Sequence, residues 1–541
     1  MQPRWYRNAV VYVVDPAMFR DSDGDGWGDL RGITDRLDHI RGLGATCLWI
    51  LPFYASPYRD GGYDITDHLA VDPRFGDVAD FALLLDKADE LGLRVLVDLV
   101  GQHTSIEHRW FEEARRDRNS PYRDYYVWAD EPHETDVSPN FPTVEDSVWT
   151  WDDEAQQFYR HVFYSHEPDL ELGNPRVREE LERVMAFWMR MGVAGFRVDA
   201  VPYMVERARA ADPRHDGHWL LHEMRDFVAR RGSEAVLLGE VDVSVEKYAD
   251  YFAGGKGLTM LLDFWLNNHL FLSFARADAT PLADAIAKQP APPEWGQYAN
   301  WLRNHDELDL EQLSDDERAE VFEVFAPDES MRAYGRGIRR RLGPMLGTQR
   351  RIALAHAVLH SLPGTPIILY GDELGMGDDL DRPQRLSVRT PMQWSDEPNA
   401  GFSAAPADQL ITRVIDDGPF AYDRVNAYHQ TLRRDSLQAT LSNMVRTRTG
   451  LREIGLGRCR VLDVQCRPVL ALRYDHEDTT LVMLANLADE RVDFSLPDDD
   501  LGDLVDILAD SDYDAVESGS GRIEVEGYGY RWLRPRERLF A

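Results

Sequence analysis

Short apolar runs alternate with longer segments in which apolar residues recur every three or four positions. The runs predict buried strands and the periodic segments predict amphipathic helices, which is the pattern of βα units around a parallel sheet. Eight such runs favour a closed (β/α)₈ barrel over an open sheet. The predicted strands lie at 10–14, 46–51, 95–100, 196–200, 236–240, 261–264, 298–303 and 366–370, with helices at 78–91, 175–191 and 352–361 among them.

Two long segments interrupt this alternation and predict structure at the rim of the barrel. The segment 104–167, rich in Trp, Tyr, His, Pro and Asp, follows the third predicted strand, and 307–350 follows the seventh. Beyond 455 the pattern changes to short alternating strands at 461–464, 469–474, 480–487 and 529–534. We therefore expect an α/β chain with a TIM barrel in 1–103 and 168–455, an inserted subdomain in 104–167 and an all-β sandwich in 456–541.

Composition narrows the classes of function. The chain has 541 residues and a formal net charge of −35, which would repel nucleic acid and anionic lipid. It contains three cysteines, without C-x-x-C spacing, and no apolar stretch long enough to cross a bilayer. We expect a soluble cytoplasmic protein that binds neither nucleic acid nor membrane. The sequence leaves the oligomeric state open, a homo-oligomer included.

Three carboxylates end predicted barrel strands, where barrel enzymes place their chemistry. Asp199 ends the fourth strand, Glu240 ends the fifth, and Asp306 follows the seventh. One such acid alone could simply cap the next helix. Three of them, with Arg197 two residues before one and His305 directly before another, indicate a shared site instead. Two further polar residues lie near the end of the third strand, Asp98 and His103.

Carboxylates that converge with Arg and His suit cleavage of a glycoside, which passes through a positively charged transition state. One carboxylate attacks the anomeric carbon, and a second must carry a proton for the leaving oxygen. Because an adjacent arginine favours an ionised carboxylate, Arg197 points to Asp199 as the nucleophile and leaves Glu240 as the acid/base. We expect Asp306 and His305 to bind sugar hydroxyls.

Four segments resemble, in order, the signature regions of the α-amylase family: DLVGQH at 98–103, GFRVD at 195–199, GE at 239–240 and RNHD at 303–306. The resemblance covers nearly the whole chain. It implies a TIM barrel, an inserted domain after the third strand and a C-terminal β-domain. It also implies a catalytic triad of Asp199, Glu240 and Asp306.

Within that family the chain is most similar to trehalose synthases and related α-glucosidases, through YASPYRDGGYDI at 54–65 and RTPMQW at 389–394. The resemblance implies a pocket for one terminal glucose. In that pocket Tyr63 would lie under the sugar, Asp60 and Arg389 would bind its non-reducing end, and His103 would contact the primary hydroxyl. The chain departs from the family where Gln102 replaces Asn, Glu167 replaces Gln and Glu171 replaces Asn.

An acidic loop near the start of the chain can wrap a hard cation. The run DSDGDGWGD at 21–29 places oxygen donors at alternate positions and glycines between them. It is not an EF-hand, because Gly32 occupies the position of the bidentate Glu. The α-glucosidase branch has a similar loop, which implies a structural Ca²⁺ or Mg²⁺ and no organic cofactor. The implied ligands are Asp21, Asp23, Asp25, the Trp27 carbonyl and Asp29.

We therefore expect a retaining enzyme that acts on a small α-glucoside such as maltose or trehalose. If the displaced glucose re-attacks through its anomeric hydroxyl, the enzyme is a trehalose synthase. If water attacks, it is an α-glucosidase, and if a foreign alcohol attacks, a transglucosylase. A non-catalytic amylase-like binding module is the alternative from another class, and the three acids disfavour it.

Overall fold

The structure is a computed structural model that describes residues 4–132, 137–211, 215–497, 501–517 and 522–536. Eight parallel strands close into a barrel in which each strand pairs with its neighbours in the chain and the eighth pairs with the first. The strands β1 to β8 are Val11–Val14, Cys47–Ile50, Arg94–Leu99, Gly195–Val198, Val236–Gly239, Met260–Leu262, Gln297–Trp301 and Thr365–Leu369. All eight predicted strands are confirmed.

The barrel strands are buried almost throughout, because helices cover their outer side and side chains fill the inside. The helix Pro175–Met191 illustrates how local signals set helix ends: the Asn174 side chain accepts the Arg176 N–H, and Gly192 follows the helix at a φ of 119°. The longer helices of the barrel are Val78–Glu90, Pro175–Met191, Val201–Ala211, Trp219–Arg231, Phe264–Arg276, Thr280–Lys288, Gln349–Ser361 and Leu437–Gly450.

Shorter helices fill the connections between these elements. They are Pro16–Phe19, Leu30–Asp35, Leu37–Leu43, Tyr248–Phe252, Leu342–Leu346, Ala427–Thr431 and Arg452–Leu456.

The segment after β3 forms the expected insertion. It contains the helix Arg109–Arg116 and an antiparallel sheet in which Gln157–Arg160 lies between Trp128–Ala129 and Trp149–Asp152. Its aromatic residues mostly pack on one another, as Phe111 stacks on Trp128 with ring centroids 5.4 Å apart. Phe111 and Tyr159 also belong to the same apolar core as the barrel strands, so the insertion packs continuously onto the barrel.

The segment after β7 also folds at the rim. It forms the helix Asp315–Phe325 and a sheet in which Gly337–Ile338 pairs with both Leu308–Asp309 and Arg332–Ala333. The Ser314 side chain caps that helix together with Glu317, because each bonds the other's backbone N–H.

The chain ends in an antiparallel β-domain, as predicted. Its larger sheet contains Arg458–Val461, Val469–His476, Thr479–Asn486, Leu504–Ala509 and Tyr530–Pro535, and its smaller sheet pairs Val492–Ser495 with Arg522–Val525. Apolar side chains from the two sheets share one core, which contains Val482 and Leu533 from the larger and Phe494 and Ile523 from the smaller. Within the described ranges, every helix is too short or too polar to span a bilayer.

Gly195, the first residue of β4, tests how closely the barrel strands pack. Its φ is 150°, and a Cβ there would lie 2.2 Å from the Val236 carbonyl oxygen of β5. We expect Gly195→Ala to lower the free energy of unfolding by about 1–3 kcal/mol, because overpacking and backbone strain act together. Thermal and denaturant unfolding measure this. Gly42→Ala is the control, since among the described residues no atom outside its own helical turn lies within 4 Å of its Cβ position. Equal effects of the two substitutions would contradict the prediction.

Candidate active site

A cavity of about 250 Å³ opens at the C-terminal ends of the barrel strands. Its wall contains the three predicted catalytic acids together with side chains from the inserted segment and the segment after β7. The wall residues that the sequence analysis named are Asp60, Tyr63, His103, Asp199, Glu240 and Asp306.

Arg197 connects three carboxylates that come from three adjacent strands. The register pairs Asp98 of β3 with Arg197 of β4, and Glu240 directly follows β5. One Arg197 nitrogen lies 2.8 Å from Asp98 Oδ1 and also contacts Asp199 Oδ1, while the other lies 2.8 Å from Glu240 Oε1. The guanidinium is 1% exposed. The two predicted catalytic carboxylates are therefore held by one buried cation.

The two carboxyl groups have different pKa values. Burial raises the pKa of Asp199 to about 6, with Asp98 and Asp306 adding to the shift and Arg197 opposing it. Burial raises the pKa of Glu240 to about 7, again against Arg197, and the negative charge of Asp199 adds to the shift. Burial raises the pKa of Asp199 more than the ion pair with Arg197 lowers it. Asp199 is therefore ionised only above about pH 6.

Asp306 is the carboxylate with the strongest cationic surroundings. Arg389 Nη2 lies 3.0 Å and Arg385 Nη1 3.2 Å from its Oδ1, and His305 Nε2 lies 3.1 Å from its Oδ2. Burial alone would raise the pKa of Asp306, but the charges of Arg385 and Arg389, together with the neighbouring His305, hold it well below the usual range. Asp306 is therefore ionised throughout the range in which Asp199 and Glu240 titrate.

Tyr63 and His305 form a stacked pair at one side of the cavity. Their rings are 5.6 Å apart and only 7° from parallel, and Tyr63 Oη lies 2.8 Å from His305 Nε2. The Tyr63 hydroxyl also donates to Asp98 Oδ1 at 3.2 Å, and Trp49 Nε1 donates to Asp98 Oδ2 at 2.6 Å. His305 lies behind the wall of the cavity and contacts both Tyr63 and Asp306. A contact between His305 and a sugar stays a prediction.

Asp60 pairs with an arginine that the sequence analysis missed. Arg385 Nη2 donates to both Asp60 oxygens at 2.8 and 2.7 Å. Arg389, expected beside Asp60, instead binds Asp306 and the His305 carbonyl oxygen. Arg385 lies in the short 3₁₀ helix Gln384–Val388, where only its spacing of four residues from Arg389 could have drawn attention to it.

His103 lies where the resemblance places it, in the wall of the cavity. It is 2% exposed, and burial lowers the pKa of its imidazole to about 3. Its Nδ1 has no hydrogen-bond partner among the described residues. A neutral imidazole with an unpartnered ring nitrogen is suited to bind a hydroxyl group rather than an anion.

The mouth of the cavity is lined by side chains that the sequence did not indicate. Arg336 donates to the carbonyl oxygen of Asn140 at 2.9 Å and to its side-chain oxygen at 3.1 Å, and Tyr203 donates to the same side-chain oxygen at 3.0 Å. Arg336 also pairs with Asp309 at 2.6 Å. The segment after β7 is thus bonded to the inserted segment across the mouth of the cavity. Other residues of the cavity wall that the sequence did not indicate are Phe163, Pro202, Asp242, Phe264, Asn304, Glu307 and Glu311.

The acidic loop after β1 gathers three of its four aspartates. One carboxylate oxygen from each of Asp21, Asp23 and Asp29 lies within 4.8 Å of the others. Asp25 is outside this group and accepts the backbone N–H of Trp27 at 2.8 Å. Burial raises the pKa of Asp29, and the charge of Asp23 adds to that shift. Negatively charged oxygen donors this close together repel one another, and a hard cation bound between them would neutralise that repulsion. The residues present therefore suit Ca²⁺ or Mg²⁺.

Comparisons with known proteins agree with this geometry. The family model described as "Alpha amylase, catalytic domain" matches residues 13–325 and 335–454. A trehalose synthase of Thermus thermophilus is 40% identical over 502 residues, which are 92% of this chain and 52% of that protein. This chain thus spans about half the length of that relative. A trehalose synthase of Pimelobacter sp. is 37% identical over 551 residues, 98% of this chain and 96% of that protein.

A solved structure has the same fold over its whole length. The trehalulose synthase MutB from Pseudomonas mesoacidophila MX-45 has a TM-score of 0.78 and 27% sequence identity, with 98% of this chain and 99% of that chain covered. The agreement includes the C-terminal β-domain as well as the barrel.

Proposed function

Because this chain belongs to the α-amylase family, we propose that it is a retaining enzyme that transfers the terminal glucosyl group of a small α-glucoside and chiefly interconverts maltose and trehalose. One observation supports this most directly. Asp199 and Glu240 share the guanidinium of Arg197, and their pKa values of about 6 and about 7 leave one ionised and one protonated between those values.

In the first step, Asp199 attacks the anomeric carbon of the terminal glucose. The bond from that carbon to the bridging oxygen breaks, and Glu240 gives its proton to this oxygen as the second sugar leaves. The product is a glucosyl ester of Asp199. Asp306, ionised beside Arg385 and Arg389, binds ring hydroxyls and favours the positive charge that develops on the sugar.

Formation of the ester also prepares the second step. The charge of Asp199 contributes to the raised pKa of Glu240, and the ester removes that charge. The pKa of Glu240 therefore falls when the ester forms, so its carboxylate can take a proton from the attacking hydroxyl. The attack breaks the ester and restores Asp199. The same group thus serves as acid and then as base.

The shape of the cavity supports return of the displaced glucose rather than entry of water. Arg385, bonded to both Asp60 and Asp306, closes the end that would bind the non-reducing side of the sugar. At the mouth, Arg336 bonds Asn140. A sugar held between these closures can turn and attack through its anomeric hydroxyl, which converts maltose to trehalose.

We also propose that the loop after β1 binds a structural Ca²⁺ or Mg²⁺ through Asp21, Asp23 and Asp29. Asp25 and the Trp27 carbonyl stay predicted ligands. Bound there, the cation would neutralise the clustered carboxylates and stabilise the loop, and it would take no part in the reaction. A cytoplasmic location and a homo-oligomer likewise stay predictions.

The reaction is tested by giving the purified protein maltose and, separately, trehalose, and measuring glucose, maltose and trehalose over time. We expect interconversion with little free glucose. Glu240→Gln is the control and should lower the rate by about 10²–10⁴-fold, because it cannot supply the proton. Accumulation of glucose without the other disaccharide would show an α-glucosidase instead.

The pH dependence follows from the pKa values of the two carboxyl groups. We expect kcat/KM to rise with pH through about 6, as Asp199 ionises, and to fall through about 7, as Glu240 loses its proton. The two limbs belong to the coupled pair. Initial rates between about pH 4 and about pH 9 measure this. An alkaline limb that is unchanged in Glu240→Gln would rule out Glu240 as the acid.

Metal binding is tested through stability. At a concentration about 100-fold above its dissociation constant, Ca²⁺ should stabilise the protein by about 2.7 kcal/mol, and a chelator should reverse the shift in Tm. Asp23→Asn should abolish the response, whereas Asp423→Asn, at an exposed site away from the loop, should keep it. The same titration with Mg²⁺ compares the two ions. A response that survives Asp23→Asn would place the ion elsewhere.

A further inference from the structure

Glu167 is a fully buried carboxyl group that the mechanism above does not use. It lies at the end of the inserted segment and is 0% exposed. Its Oε2 accepts the backbone N–H of Tyr164 at 3.3 Å, and its Oε1 has no hydrogen-bond partner among the described residues. A buried carboxylate with an unpartnered oxygen is costly, whereas the protonated acid is much less so.

The groups around Glu167 also disfavour its negative charge. Burial raises its pKa well above the usual range, and the carboxylates of Asp60 and Asp64 from the loop after β2 raise it further. Asp64 is itself 0% exposed and accepts three hydrogen bonds, from the Ser56 hydroxyl and from the backbone of Arg59 and Asp60. Arg385, from the loop after β8, is the cation that opposes these effects most strongly.

Arg385 already binds two carboxylates in the wall of the cavity. One of its terminal nitrogens binds both oxygens of Asp60, and the other lies 3.2 Å from Asp306. Its guanidinium lies over the ring of Phe141, 5.0 Å from the ring centre, and Phe141 stacks on Tyr164, the residue that bonds Glu167. A charge on Glu167 would therefore compete with Asp60 and Asp306 for this guanidinium.

We propose that Glu167 is a positioning residue that works as a neutral, protonated acid and so leaves Arg385 to Asp60 and Asp306 at the closed end of the sugar pocket. Loss of that proton draws Arg385 away from the pair and weakens binding of the terminal sugar, without touching the reacting atoms. The proposal rests on the proposed function, which assigns that end of the cavity to the sugar.

The protonation of Glu167 is tested without any substrate. An unfolded Glu ionises at about pH 4.3, whereas folded Glu167 keeps its proton, so this residue makes the wild-type protein less stable as pH rises above that value. Glu167→Gln removes this dependence. We expect Tm of Glu167→Gln to gain on wild type between about pH 5 and about pH 8. A constant difference would show that Glu167 is ionised and would overturn the proposal.

Glu171→Gln is the matched control, four residues further along the chain. Glu171 Oε2 lies 2.6 Å from an Arg207 nitrogen and its side chain is 25% exposed, so it is already paired as a carboxylate. This variant should not gain on wild type as pH rises. A similar gain in both variants would reflect the net charge of the protein and would overturn the assignment to Glu167.

The positioning role is tested by separating KM from kcat. We expect KM of the wild type for its α-glucoside to rise on the alkaline side by about tenfold, the change that accompanies a one-unit shift in pKa on binding. In Glu167→Gln the rise in KM disappears, while the pH profile of kcat, set by Asp199 and Glu240, stays. Equal rises in KM overturn the positioning role. Failure of both disaccharides as substrates counts against the proposed function alone, because the stability comparison stands without them.

Discussion

The site depends on one buried cation, the guanidinium of Arg197, shared by carboxylates from three neighbouring strands. Parallel pairing places Asp98 beside Arg197, Asp199 directly follows the strand of Arg197, and Glu240 directly follows the next strand. A buried arginine of this kind is stable only with its acids, and the acids would repel one another without it. The strand register of the barrel therefore also brings these three carboxylates to one guanidinium.

Positively charged side chains are distributed unevenly around the acids of the cavity, and this difference underlies the roles proposed for them. Asp306 contacts two arginines and stays ionised, whereas Asp199 and Glu240 share one arginine with Asp98 and titrate near neutrality. Burial raises each pKa, and the number of nearby cations decides how far that effect is opposed. In the proposed reaction, these differences let carboxylates of one cavity act as electrostatic partner, nucleophile and acid.

The two rim segments decide what can reach these acids. The inserted segment supplies Asn140 and Phe163, and the segment after β7 supplies Arg336 and Asp309, so the cavity lies between two segments that are bonded to each other. A barrel alone would leave the strand ends open to solvent. In the proposed reaction, retention of a displaced sugar, and with it the balance between isomerisation and hydrolysis, would depend on these contacts.

The sequence by itself determined the eight barrel strands and singled out the three acids, proposed to be catalytic, that meet in the cavity. Buried parallel strands read as continuous apolar runs, and the acids directly follow such runs, so local pattern was enough. It also indicated the acidic loop, whose donors are adjacent in the chain. Only the tertiary structure decided that Arg385, and not Arg389, pairs with Asp60. It alone brought Asn140 to Arg336, because contacts between distant loops depend on how those loops fold over the barrel and leave no periodic trace along the chain.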